Sequence, residues 1–191
     1  FDGDIVLVKP IEFGNLDMFH KQDCQYTVCL RGIVDGEPKV IKRVVTSVAD
    51  AVDAYGEYQK YADYAKLDSL RYIVSNTTAA GIVYDDTDKF EAEPPKTYPG
   101  KLCKFLYTRY KHFNGAADKG LVMLPVELID DNGIHLKECV VKFAKLWNLE
   151  EGFLTWLDDA CVFTSTLVDR IVTGYPRDDA EALWKEFGYQ D

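Results

Sequence analysis

The chain has 191 residues, of which 47% are hydrophobic and 13% aromatic, and its formal net charge at pH 7 is −10. This length and composition predict one globular domain with a real core and exclude a disordered chain. The acidic balance argues against binding to nucleic-acid phosphates, which needs clustered Lys and Arg. No apolar run approaches the roughly 20 residues that a membrane span needs.

Five cysteines are spread along the chain without a Cys-x-x-Cys pair: Cys24, Cys29, Cys103, Cys139 and Cys161. Their odd number and low density, with no visible signal peptide, indicate reduced thiols in a cytoplasmic protein. The three histidines are scattered, so no zinc motif is supported and no metal is predicted. The chain begins Phe-Asp-Gly without an initiator Met, so we expect an excised piece of a longer protein.

The first quarter of the chain predicts strands. Asp4 to Pro10 is an apolar run that proline stops, and residues 14–22 fit either a short helix or a loop. Gln25 to Arg31 and Pro38 to Thr46 are two β-prone runs joined at Asp35-Gly36, a hairpin turn signal. We expect this antiparallel pair to lie off the main sheet.

The periodicity then changes. Residues 47–65 predict an amphipathic helix, because apolar side chains recur at three to four residues or multiples of that: Val48, Val52, Tyr55, Ala62 and Ala65. Tyr72 to Val74 follows as a short apolar strand, expected to be buried on both faces of a parallel sheet. The order strand, long helix, strand is typical of a crossover connection in an α/β fold.

A polar segment follows this strand at once and consists of Ser75, Asn76, Thr77 and Thr78. In an open α/β sheet, ligands bind just beyond the carboxyl ends of the strands. Small polar side chains at that point can bond a ligand and leave room for it. A capped turn is the alternative, since Thr and Asn are ordinary turn and N-cap residues. Both interpretations remain open at the level of the pattern.

The second half alternates between helical and strand patterns, after a proline-rich loop over residues 85–99. Helices are predicted around 102–113, 136–147, 149–161 and 180–187, and a strand at 121–126. Glu127 directly follows that apolar strand, where a carboxylate is usually paired or functional. Asp130, Asp131 and Asn132 come next; they suit a hydroxylated substrate or a metal, but for the two aspartates a solvated turn is favoured.

An acid and a base, Asp169 and Arg170, stand between Val168 and Ile171. Such a pair inside an apolar run forms a structural ion pair or anchors a polar substrate, with Arg gripping a carboxylate through two parallel hydrogen bonds. The sequence contains no Gly-x-Gly-x-x-Gly, no phosphate-binding Gly-x-x-x-x-Gly-Lys and no serine elbow.

Four stretches together resemble the mannitol dehydrogenase family of long-chain polyol dehydrogenases, and the resemblance runs from about Val6 to the last residue. The stretches are Ser75–Gly81, His112–Gly115 with Asp118–Gly120, Pro125–Gly133 and Thr166–Asp178. The resemblance implies a Rossmann-like α/β fold, with a doubly wound, mostly parallel sheet and an extra antiparallel hairpin. It also implies an NAD-dependent oxidoreductase of the uronate branch, acting on a keto-uronate and the matching aldonate.

The same resemblance implies that residues 1–191 are the central part of a nucleotide-binding domain. The family's first strand and glycine-rich turn are expected before Phe1, and its helical domain with the catalytic Lys after Asp191. No catalytic residue is therefore expected in this chain, and the chain by itself is expected to be inactive. The rest of the same polypeptide is its expected partner, with no nucleic acid and no membrane.

Site residues are transferred from the family by position. The resemblance implies substrate contacts from Asp169 and Glu127, and cofactor contacts from Pro10, Asn76, Thr77 and Thr78. The residue chemistry and the strand-end positions add Asn132 and Arg170 to the substrate contacts and Ser75 to the cofactor contacts. Leu128 stands where the mannitol branch has an Asn that polarises the carbonyl, and Ala79 stands where the family usually has Glu. The second strand ends in Lys9-Pro10 with Glu12 just beyond, so the chain alone does not decide between NAD and NADP.

The alternative function is a non-catalytic α/β module that binds a partner and works as it stands. The length of the natural gene product separates the two hypotheses, because a native polypeptide of 191 residues favours the module and a longer one favours the enzyme.

Overall fold

The structure is a computed structural model that describes residues 3–78, 80–168, 172 and 174–191. The chain divides into two compact units, residues 1–54 with 171–191 and residues 55–170. Each unit has its own strands and its own buried apolar cluster. Among the described residues, no helix has both the length and the apolar character needed to cross a membrane.

The first unit contains a parallel pair of strands, β1 (Ile5–Lys9) and β4 (Val48–Asp53). The predicted first strand is thus confirmed, but the helix predicted from Ser47 is wrong over β4. Val48 and Val52 lie four residues apart, a spacing that also puts side chains on one face of a strand. Pairing with β1 satisfies the backbone there and buries both valines.

A separate antiparallel hairpin, β2 (Tyr26–Val34) with β3 (Glu37–Val45), belongs to the same unit and confirms the predicted hairpin. Asp35 and Gly36 form its turn with φ of 56° and 82°. Positive φ at both central residues is the mark of a type I′ turn, which matches the twist of the flanking strands. Two short helices complete the unit: α1 (Asp17–Lys21) and α6 (Ala180–Phe187).

The second unit contains three parallel strands in the spatial order β5–β6–β7. They are β5 (Tyr72–Ser75), β6 (Val122–Pro125) and β7 (Val162–Phe163). The unit's helices are α2 (Tyr58–Tyr64), α3 (Tyr98–His112), α4 (Asn132–Leu146) and α5 (Glu151–Asp159), with a 3₁₀ turn at Ala117–Lys119. Strands alternating with helices in a parallel sheet confirm the predicted α/β class. Only the last part of the helix predicted over 47–65 is helical, as α2.

The core of this unit lies on one face of the sheet. Met123 of β6 is fully buried against residues of α3, α4 and α5, such as Leu106 and Phe143. On the other face of β5, Tyr72 is 46% and Val74 is 65% exposed. The expectation that this strand is buried on both faces is therefore wrong. The described helices bury side chains on one face, and alternate residues of β5 point to the opposite face.

A buried arginine forms hydrogen bonds with the segment that leads into β5. Arg109 of α3 is 1% exposed, and its guanidinium donates to the carbonyl oxygens of Ala65 at 2.9 Å, Leu67 at 2.7 Å and Leu70 at 3.2 Å. Its Nε donates to the Lys119 carbonyl at 2.6 Å. These carbonyls belong to the segment between α2 and β5 and to the turn before β6, so one side chain fixes the amino ends of two adjacent strands.

Candidate functional site

The candidate site lies where β5 and β6 end. Ser75 is paired with Pro125 in the parallel register, and the Val126 amide donates to the Ser75 carbonyl at 2.9 Å. Parallel strands present their carboxyl ends at one edge of the sheet, so the residues that follow them are brought together. The segments in question are residues 76–81 after β5 and residues 126–131 after β6.

Glu127 ties these two segments together. It is fully buried, and its Oε1 accepts hydrogen bonds from the Thr77 backbone N at 3.1 Å and from the Thr77 hydroxyl at 2.9 Å. Thr77 in turn packs on Gly81, where an added Cβ would lie 2.0 Å from the Thr77 hydroxyl oxygen. The observed contacts of this carboxylate are therefore made to the loop after β5. Its predicted contact with substrate stays a prediction.

Three side-chain oxygens near the Glu127–Thr77 contact are buried and have no hydrogen-bond partner among the described residues. They are Ser75 Oγ, Tyr98 OH and Glu127 Oε2. Burial raises the pKa of the Tyr98 phenol, and the nearby Glu127 charge raises it further. Ser75 lies near enough to oppose part of that rise, although the two hydroxyls do not reach hydrogen-bonding geometry. Buried polar oxygens are rarely left unpaired, so this cluster requires an explanation.

The tip of the loop after β5 faces solvent. Asn76 and Thr78 are exposed, and Thr78 has a left-handed backbone with φ of 72°. The Asn76 amide makes no hydrogen bond within the part of the chain that the structure describes. The next described helix begins only at Tyr98, so this loop does not cap a helix directly. The Gly81 amide donates to the Thr78 carbonyl at 3.0 Å, so the loop contains a turn, and the predicted contacts of Asn76 and Thr78 with a cofactor stay predictions.

Asn132 is buried at the start of α4, and its predicted contact with substrate stays a prediction. It is 1% exposed, and its amide nitrogen contacts the carbonyl oxygens of Pro125 at 3.1 Å, Glu127 at 2.9 Å and Thr166 at 2.7 Å. Its Oδ1 accepts from the Thr166 amide at 3.2 Å. Both ends of the side chain are thus committed to the backbone, and Asn132 is a structural tie between β6, α4 and the segment after β7.

A pocket of about 250 Å³ opens beside this tie. It lies between the turn that precedes α4 and the segment after β7, and its lining is Leu128, Ile129, Asp130, Asp131, Asn132, Ser165, Thr166 and Leu167. Asp130 and Asp131 are exposed and Asp131 has φ of 51°, as expected for the solvated turn. Gly133 lets α4 approach closely, because an added Cβ would lie 2.2 Å from the Thr164 carbonyl oxygen.

The remaining predicted residues lie elsewhere. Pro10 belongs to the first unit and follows Lys9, whose ammonium donates to the Ile11 carbonyl at 2.8 Å and pairs with Asp53 at 3.0 Å. Its contact with a cofactor stays a prediction. Asp169 and Arg170 lie outside the described residues, as does Ala79. Within the described ranges, no three or more His, Cys, Asp or Glu residues are grouped so as to hold a metal ion.

Tyr98 is the site residue that the sequence pattern did not indicate. It is the first residue of α3 and follows Thr97, whose hydroxyl caps the helix by accepting from the Gly100 amide at 3.1 Å. A tyrosine at a helix start carries no local signal of a partner at distant strand ends. Only the packing of α3 against the sheet reveals that Tyr98 lies near the ends of β5 and β6.

The parallel strands and the helices between them define an α/β fold of the Rossmann type, and solved structures share it. A D-sorbitol dehydrogenase in substrate-free form superposes with a TM-score of 0.78 at 19% identity, over 98% of this chain and 40% of that chain. A Pseudomonas fluorescens mannitol 2-dehydrogenase, solved as a ternary complex with NAD and D-mannitol, gives a TM-score of 0.72 at 22% identity, over 89% of this chain and 35% of that chain.

Residues 2–191 match the sequence profile of the mannitol dehydrogenase Rossmann domain. The chain therefore belongs to the mannitol dehydrogenase family. It is 43% identical to the altronate oxidoreductase of Bacillus subtilis (strain 168), over 100% of this chain and 40% of that protein. It is 46% identical to the altronate oxidoreductase of Pectobacterium atrosepticum, over 100% of this chain and 39% of that protein. The chain thus spans about 40% of the length of these relatives.

Proposed function

We propose that residues 1–191 form the central part of the nucleotide-binding domain of an NAD-dependent oxidoreductase that interconverts D-tagaturonate and D-altronate in hexuronate breakdown. The observation that carries this proposal is 46% identity, across the whole chain, to an altronate oxidoreductase. The structural neighbours share only the fold at 19–22% identity, so they support the cofactor class and not the substrate.

The loop after β5 fits a dinucleotide cofactor. It lies at the carboxyl end of a parallel strand, its tip is exposed at Asn76 and Thr78, and its base is held by Glu127. When bound, the nicotinamide cofactor would supply or accept the hydride. We propose that Asn76 and Thr78 contact it, that Thr77 holds the loop in shape, and that Pro10 contributes from the end of β1. The Ser75 hydroxyl is buried, so we assign it to the loop's support.

For the substrate, we propose the 250 Å³ pocket together with Asp169 and Arg170, which follow its lining residue Leu167 closely in sequence. An arginine is suited to the carboxylate of a uronate, which it can bind through two parallel hydrogen bonds. Glu127 and Asn132 would act on the substrate through the loops that they hold. Leu128 lines the pocket with an apolar side chain, so polarisation of the carbonyl must come from another group, expected outside this chain.

We further propose a cytoplasmic location, a small-molecule substrate and no nucleic-acid or membrane partner. The five cysteines are all free thiols, as expected of a protein in a reducing compartment. The other partner would be the rest of the same polypeptide.

The test is a steady-state assay of the full-length protein. Purified protein should oxidise NADH with D-tagaturonate and reduce NAD with D-altronate, and it should prefer both over D-fructose and D-mannitol. Replacing NADH by NADPH resolves the cofactor preference. NADH binding without turnover of any of these sugars would overturn the assigned substrate. The absence of both binding and turnover would favour the non-catalytic module.

A further inference from the structure

The buried cluster beneath the loop after β5 leads to a further assignment. We propose that Ser75, Tyr98 and Glu127 enclose one internal water molecule, and that through it Tyr98 is a positioning residue for the loop that carries Thr77. The positioning role rests on the proposed function, because the ligand of that loop is taken to be NADH. The water site itself does not depend on that function.

The three oxygens come from three different elements. Ser75 is the last residue of β5, Glu127 follows β6, and Tyr98 begins α3. Ser75 Oγ, Tyr98 OH and Glu127 Oε2 are each buried without a partner among the described residues. A buried oxygen left unpaired loses its hydrogen bonds to water without replacement, so native structures rarely contain one. Tyr98 lies near both Ser75 and Glu127, so one shared partner explains the three unpaired oxygens better than three separate defects.

The chemistry of the three groups selects water. A carboxylate oxygen accepts hydrogen bonds only, while each hydroxyl can donate or accept. A water molecule can donate to Glu127 Oε2 and bond the two hydroxyls with its remaining capacity. Internal waters typically make two to four such bonds (roughly three on average). The burial of all three oxygens argues against a larger ligand that must enter and leave from solvent.

The link to the loop runs through the carboxylate. Glu127 Oε1 holds the backbone and hydroxyl of Thr77, while Oε2 is buried without a partner among the described residues. A bond at Oε2 fixes the plane of the carboxylate and thereby the direction in which Oε1 meets Thr77. Loss of the Tyr98 hydroxyl should therefore loosen the loop, although Tyr98 itself need not touch the cofactor.

The experiment compares Tyr98→Phe with Tyr110→Phe in the full-length protein. Both tyrosines belong to α3, but Tyr110 lies three turns away among Tyr107, Phe153 and Trp156. Tyr98→Phe should weaken NADH binding by roughly three- to tenfold, equivalent to losing about one hydrogen bond, while Tyr110→Phe should leave it unchanged. Ser75→Ala should act as Tyr98→Phe does, and serves if Tyr98→Phe does not fold.

A double-mutant cycle and a crystal structure complete the test. The effects of Tyr98→Phe and Glu127→Gln on unfolding free energy should be non-additive, as expected for residues that share one network. A high-resolution crystal structure should show a water oxygen about 2.6–3.2 Å from all three side-chain oxygens. Both measurements remain informative if the wild-type protein fails to bind NADH, which would overturn the proposed function alone.

Two results would overturn the inference. A Tyr98 hydroxyl bonded directly to Glu127, with no water between them, would remove the water site. A fall in melting temperature of Tyr98→Phe with unchanged NADH affinity would remove the positioning role and leave Tyr98 as a packing residue.

Discussion

Glu127 and Thr77 are 50 residues apart in sequence, yet two hydrogen bonds of 3.1 and 2.9 Å join them across the ends of adjacent parallel strands. The carboxylate thereby satisfies a backbone N–H and a hydroxyl at the base of an otherwise irregular loop. Loops of this kind carry binding groups well only when a rigid scaffold holds them.

Gly81→Ala should disturb the loop from its other side. The added methyl group would lie 2.0 Å from the Thr77 hydroxyl oxygen, so Thr77 must move away from Glu127. We expect a loss of about 1–3 kcal/mol of unfolding free energy, as for overpacked sites, together with weaker NADH binding. Gly32→Ala in β2 is the matched control, since no atom lies within 4 Å of an added Cβ there. Equal stability of the two variants in urea unfolding would contradict the prediction.

Asn76→Ala should weaken NADH binding by roughly three- to tenfold, because a neutral hydrogen bond contributes about 0.5–1.5 kcal/mol. Asn76 is exposed at the loop tip, so the melting temperature should change little. Fluorescence titration and thermal unfolding of the same variant give both quantities. Unchanged affinity with a clear fall in melting temperature would instead identify Asn76 as a turn-forming residue.

Asp169→Ala should lower kcat/KM for D-tagaturonate by more than about tenfold, the equivalent of 1.4 kcal/mol. The reason is the resemblance, which implies that this Asp contacts the substrate. NADH affinity should stay at the wild-type value. Asp178→Ala removes another acid nearby in sequence, one that is exposed, and should leave the kinetics unchanged. Wild-type kinetics for Asp169→Ala would mean that Asp169 serves only as an ion-pair partner.

Lys101 predicts a specific pH dependence of stability. It is 4% exposed, and burial lowers the pKa of its ammonium from 10.5 to about 8, with Asp88 opposing the shift. Below pH 8 the folded protein bears the full cost of the buried charge. Between about pH 8 and 10.5 the folded state releases the proton while the unfolded state keeps it, so this contribution to stability rises with pH.

Lys101→Met isolates this effect from other groups that titrate at high pH. The unfolding free energy of the variant minus that of the wild type should be highest below pH 8, and this difference should decline as the pH approaches 10.5. Urea unfolding of both proteins at several pH values measures the difference. A difference that is independent of pH would contradict the lowered pKa.

Much of the fold could be predicted because local signals agreed with the final packing. The Asp35-Gly36 turn specifies one local conformation, and the short apolar run of β6 has the length that is typical of a buried strand. The failure over β4 has the opposite cause. Valines four residues apart fit one face of a helix or of a strand, and only the partner strand β1 decides between them. Tertiary pairing of this kind is invisible in a local window.

For the candidate site, the sequence could predict which strand ends meet, while the functional contacts of the residues there stay predictions. The polar segment after β5 and the carboxylate after β6 were evident as strand-end features, and parallel pairing brings them together. The backbone hydrogen bonds at both ends of the Asn132 amide could not be predicted, because its partners include Thr166, 34 residues away. The orphan hydroxyl of Tyr98 depends on the packing of a whole helix.

The arginine beneath the sheet has a consequence for motion. Arg109 donates to the carbonyls that lead into β5, and its guanidinium stays charged near neutral pH although burial lowers its pKa. Buried charges are also screened far less by salt than surface pairs such as Lys119 with Asp68. We therefore expect the amino end of β5 to keep its position when a ligand binds, so that any adjustment falls to the residues at its carboxyl end.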